Sequence, residues 1–158
     1  MLFCYFTTYK TYDTLMKLAF CAFALLFITA CQPKNELKGS WELVAAQKIE
    51  AGKTTSDDLS GRKMIKILND THFSFLNHDL KAGKDSSTAF FAGGGGTYTW
   101  QGDQYTEHVE YCSYRPYEGK SFQFTVEFRQ DTLIQTGKEE IKELGINHTI
   151  VEKYIRVK

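Results

Sequence analysis

The run Thr97-Tyr98-Thr99-Trp100-Gln101-Gly102-Asp103-Gln104-Tyr105-Thr106-Glu107-His108-Val109-Glu110-Tyr111-Cys112 alternates apolar and polar residues on both sides of a Gly-Asp pair. Two alternating runs joined by a two-residue linker containing glycine predict a β-hairpin, with strands over 97–101 and 104–112. Successive strand residues point to opposite faces. Tyr105, Glu107, Val109 and Tyr111 therefore share one face, and Thr106, His108 and Glu110 the other. Tyr98 and Trp100 lie on the paired strand at matching parity.

The pattern continues outward. Phe122, Phe124, Val126 and Phe128 alternate with Gln123, Thr125 and Glu127, the signature of a half-buried strand. Gln130-Asp131 predicts a turn into a strand over 132–137, and 149–157 predicts a closing strand. The charged stretch 138–145 reads as a short helical turn or a loop. Before the hairpin, Trp41, Leu43 and Ala45 share a parity and predict a first strand over 41–48. A polar loop over 54–61 follows, then strands over 63–68 and 72–77 around Asn69-Asp70. The stretch 77–96, with Gly93 to Gly96 and the apolar pair Phe90-Phe91, reads as a long flexible loop that could cover one end of the fold.

These are eight strand candidates with short links. They predict an all-β fold, an eight-stranded antiparallel up-and-down barrel in which closure removes exposed sheet edges. A flat sheet or a two-sheet sandwich is the alternative. A chain of 158 residues with 15% aromatic content has ample material for one core.

The N-terminus carries an address. Lys17 precedes an apolar run from Leu18 to Ile28, of signal-peptide length and too short to span a bilayer comfortably. Ile28-Thr29-Ala30-Cys31 resembles a lipobox, in which small residues admit the peptidase and the cysteine thiol accepts a lipid. The reading is a lipoprotein signal peptide over 1–30, a lipidated tether over 31–38 starting at Cys31, and a barrel domain over 39–158. Residues 1–15 fit no part of such a signal and suggest a misassigned start or an extended n-region. An ordinary secretory signal is the alternative. Gln32 is not the aspartate that commonly retains lipoproteins in an inner membrane. The expected place is therefore the bacterial cell envelope, lipid-anchored, with the outer membrane favoured.

Gly39-Ser40-Trp41 resembles the G-x-W opening of lipocalins. The stretch from Gly93 to Tyr111 and the ending Glu152-Lys153-Tyr154-Ile155-Arg156-Val157-Lys158 are similar to the lipocalin-like domain family of bacterial envelope lipoproteins. The resemblance spans roughly 37–158 and implies a calycin-type barrel. It also implies a structural contact between Trp41 and Arg156 at the barrel base, by cation–π stacking and guanidinium hydrogen bonds.

Function is read from the hairpin face. Tyr98, Trp100, Tyr105, Glu107 and Tyr111 would form an aromatic wall with one carboxylate, suited to a small hydrophobic or amphipathic ligand. The same residues could instead fill the core, leaving a structural or protein-interaction module. A one-residue slip in register exchanges the inward residues for their neighbours. No catalytic residue is assigned, since a lone Glu107 with tyrosine donors is thin material for an enzyme. No cofactor or metal is expected: His72, His78, His108 and His148 lack ligand spacing, and no CxxC pair exists. With 19 basic and 19 acidic residues, the charge gives no reason to expect nucleic acid. The expected partners are the membrane, through the N-terminal lipid, and the small ligand; the expected state is a monomer.

Overall fold

The computed structural model describes residues 35–158; the leader and the lipidation position Cys31 lie outside the described residues. Among the described residues, nine antiparallel strands follow in order: β1 Gly39–Glu50, β2 Lys53–Ser56, β3 Arg62–Leu68, β4 His72–Asp79, β5 Phe91–Gln101, β6 Gln104–Cys112, β7 Ser121–Arg129, β8 Thr132–Ile141 and β9 Ile146–Arg156. Each of β3 to β8 pairs with the next in sequence. β1 pairs with β3 over 39–42 and with β9 over 41–49, which closes an eight-stranded barrel. The extra strand, β2, folds back on 47–50 of β1, beyond the point where β3 stops pairing. Part of the predicted polar loop over 54–61 is thus a strand, recruited by the open edge of β1.

The turns at one barrel end are tight. Gly102 sits at φ 63 in the β5–β6 hairpin, and Gln130 at φ 56 between β7 and β8. The other end carries the longer links, including 3₁₀ turns at Arg115–Tyr117 and Lys142–Leu144. β8 reaches Ile141, so half of the predicted charged loop after 137 is strand.

The predicted flexible loop over 77–96 is mostly ordered. Only 80–90 lies between strands, and the Asp79 carboxylate organises it by accepting hydrogen bonds from the backbone N–H groups of Gly83 and Phe90 at 3.1–3.2 Å. Those bonds hold the Asp79 carboxyl below its ordinary range, the Phe90 N–H contributing most. The four glycines lie inside β5. A Cβ on Gly96 would stand 1.9 Å from the His108 carbonyl oxygen, and one on Gly94 would meet the Phe75 ring at 2.7 Å. Glycine lets the neighbouring strands approach here.

The same region carries a β-bulge. Gly95 faces Tyr111 but Gly96 faces Val109, leaving Glu110 unmatched. Such an extra residue reverses the inward parity beyond it. A second irregularity at Leu43/Ala45 leaves Val44 unmatched, so Ala46 rather than Ala45 is buried.

At the tight-turn end the interior is filled by Leu37, Trp41, Leu68, Phe73, Leu133 and Tyr154, among other buried apolar residues. The Arg156 guanidinium stacks over the Trp41 ring at 4.1 Å and donates to the carbonyl oxygens of Lys38 (2.8 Å) and Glu36 (2.6 Å). Trp41 Nε1 donates to the Leu37 carbonyl at 2.7 Å.

Gly96→Ala should destabilise the barrel by about 2 kcal/mol or more, because backbone on β6 must move to admit the methyl group. Gly61→Ala, with open space around the site, should stay within about 0.5 kcal/mol of wild type. Urea midpoints of the two variants check this pair.

Candidate functional site

Period two places Lys66 on the inward face of β3 between Met64 and Leu68, and Gln135 inward on β8 between Leu133 and Glu139. Lys66 is 3% exposed. Its Nζ donates to Glu107 Oε1 at 2.8 Å and to Gln135 Oε1 at 2.9 Å. The Tyr105 hydroxyl donates to the same Glu107 oxygen at 2.9 Å. The Tyr154 ring lies 5.1 Å from the Lys66 ammonium, and its hydroxyl donates to Glu152 Oε2 at 2.6 Å. These groups form a polar layer across the barrel above the aromatic core.

Above that layer is a cavity of about 260 Å³. Lys66, Glu107, Gln135 and Glu152 line its floor; Met64, Phe75, Val109, Phe122 and Ile150 line its wall. Glu139 joins the wall higher up, with His148 Nε2 at 3.1 Å from its Oε2. Tyr117, in the β6–β7 link, packs on Phe122 with ring centroids 5.5 Å apart and also lines the cavity. The volume suits a small ligand, below the range of about 300–1,000 Å³ typical of drug-sized sites.

Electrostatics follow from burial. Removal from water raises the Glu152 carboxyl above its ordinary value; nearby Lys66 and the Tyr154 hydroxyl oppose this only in part. Glu139 is raised first by burial and then by the Glu152 charge, with His148 opposing. The Tyr117 phenol is pushed up to about 12, chiefly by burial and then by Glu139. The Tyr105 and Tyr154 phenols are raised further, with burial as the largest cause.

Of the five residues assigned to the ligand wall from sequence, Glu107 alone lines this cavity. Tyr105 supports the floor from below, holding Glu107. Tyr98 belongs to the closed end, where its hydroxyl donates to the Asn69 carbonyl at 2.6 Å and accepts from Asn35 at 2.9 Å. Trp100 packs edge-on against Phe128, with centroids 6.0 Å apart. Tyr111 is 68% exposed on the outer surface, because the Glu110 bulge turns it outward. Phe90 and Phe91 lie outside the lining of this cavity, which Tyr117 of the β6–β7 link joins. Lys66, Gln135, Glu139 and Glu152 escaped the sequence reading. The signal that could have found them was parity: each is a polar residue on the inward register of its strand.

Among the described residues, no three His, Cys, Asp or Glu side chains converge to hold a metal ion. The site has donors, acceptors and an apolar wall in a closed antiparallel barrel, a class of architecture compatible with ligand binding and consistent with a lipocalin-like barrel. The chain belongs to the family described as domain of unknown function DUF4488, whose profile matches residues 36–158. No curated protein matches the chain.

Lys66→Met should cost about 3–5 kcal/mol, because it leaves the Glu107 carboxylate buried without its cation. Lys66→Met combined with Glu107→Gln should recover much of that loss in the same denaturant titration. A second expectation concerns pH. The folded Glu152 carboxyl holds its proton more tightly than the unfolded one. Its contribution to stability is therefore favourable at low pH and declines as pH rises from about the ordinary 4.5 to the raised folded value. Glu152→Gln should flatten that decline in stability measured against pH.

Proposed function

We propose that this protein is a lipid-anchored protein of the bacterial envelope, monomeric, whose barrel binds a small amphipathic molecule. The observation that carries the binding half is the cavity, polar at its floor and apolar along its wall. A filled core would need no such layer. The anchoring half rests on the lipobox-like Ile28-Thr29-Ala30-Cys31 after an apolar run. The outer membrane is the favoured location, by the same reasoning from Gln32.

A second reading, a protein-interaction module of the envelope, draws on the outer surface. Leu76, Phe91 and Tyr111 are 46%, 67% and 68% exposed, on strands flanking the glycine run of β5 or at its start. Exposed apolar groups gathered on one face are a common mark of an interaction surface.

Native mass spectrometry of the protein extracted gently from its own envelope decides between the two. A reproducible extra mass that is lost on denaturation is the expected result. A bare protein mass that gains nothing from a lipid and metabolite extract would overturn the binding reading and favour the interaction module. Labelling with an alkyne-tagged palmitate should mark the wild type and leave Cys31→Ser unmarked; equal labelling would sink the anchor.

A further inference from the structure

We infer that the ligand of this cavity is a small organic cation, an ammonium group carrying a short apolar chain. The inference rests on the binding reading above and specifies the chemistry of that same site. Three carboxyl groups line the cavity, Glu107, Glu139 and Glu152, against one lysine. Lys66 is already committed to Glu107 and Gln135. No lysine or arginine lies within ion-pair distance of Glu139 or Glu152 among the described residues; Glu139 has His148, charged only if protonated, and Glu152 accepts from Tyr154.

The hydrogen bonds to Glu107 point the same way. Both side-chain bonds to Glu107 fall on Oε1, and Oε2 accepts none among the described residues. Gln135, 1% exposed, accepts from Lys66 with its carbonyl oxygen and leaves its amide NH₂, a donor, without a protein partner among the described residues. Among the described residues the sealed-off unpartnered side-chain atoms are Asn77 Oδ1 and Trp100 Nε1, so Glu107 Oε2 is open to the cavity and within reach of a ligand. The free acceptors lie on carboxyl groups, so their missing partner is a donor, and a positively charged donor would also hold the buried Glu139 and Glu152 in their ionised form; the spare Gln135 amide NH₂ is a donor and plays no part in this. An anion would meet three carboxyl groups and a lysine whose acceptors are already in place. A bare metal ion is disfavoured by the spread of the acidic groups. Val109, Phe122 and Ile150 would take the apolar chain, and the Tyr154 ring, which already faces one cation, adds an aromatic face.

Isothermal titration of the full-length protein in mild detergent tests this with three probes of one shape: hexylammonium, hexanol and hexanoate. Hexylammonium should bind, hexanoate should not, and hexanol should bind at least about tenfold more weakly than the ammonium. Glu152→Gln should weaken hexylammonium at least about tenfold and leave hexanol unchanged; Glu139→Gln serves where the first variant does not fold. Hexanoate or hexanol binding as tightly as hexylammonium would overturn the cation while leaving the binding reading standing. So would an ammonium affinity unmoved by both variants. Absence of binding by all three probes would overturn this inference, and a bare native mass would remove the binding reading with it.

Discussion

A lysine amino group at 3% exposure must keep its acceptors in place, and the barrel is arranged around that demand. Lys66 comes from β3, Glu107 from β6 and Gln135 from β8, strands that are not neighbours in the sheet. The network therefore runs across the interior instead of along one ladder. It joins walls that backbone pairing alone leaves connected only around the circumference. Below it, aromatic and aliphatic side chains fill the space. Above it, apolar groups would have to desolvate the polar layer in order to collapse onto it, so the upper half keeps its volume. One buried ion pair thus separates a stabilising half from a half that can admit something.

The closed end solves the other constraint, the sheet edges. Strands β1 and β9 come from the two ends of the barrel domain, and their pairing closes the sheet over nearly all of β1. Arg156 then ties the last residues of β9 to the segment before β1 through two backbone carbonyls while covering Trp41. Gly39 is required there. It sits at φ 138, and a Cβ would stand 2.7 Å from the Arg156 guanidinium. The G-x-W opening thus has a local cause: glycine clears the space in which arginine covers tryptophan.

Alternation made most strands legible, and the hairpin at Gly102-Asp103 made their antiparallel order legible. The barrel follows from short links and the need to remove edges. The site was legible only in part, for two physical reasons. Parity read from sequence assumes an unbroken ladder, and the unmatched Glu110 carries Tyr111 from the expected wall to the surface. Nothing in the composition of 93–96 separates a flexible loop from a strand that needs glycine for close approach; contacts with β4 and β6 make that difference. The aromatic residues drew the reading toward Tyr98 and Trp100, which lie at the filled end. The residues that give the cavity its character, Lys66, Gln135, Glu139 and Glu152, look like ordinary solvent-facing members of strands until their register is known.

The positions of the two ends bear on where a ligand would come from. Asn35 hydrogen-bonds Tyr98 at the closed end, and the cavity belongs to the opposite half. The half lined by Glu139 and Tyr117 is thus the one away from the residue at which the described chain enters the barrel. A small amphiphile entering from that half, with its polar end leading toward the Glu107 and Glu152 layer, fits the order of apolar wall and polar floor.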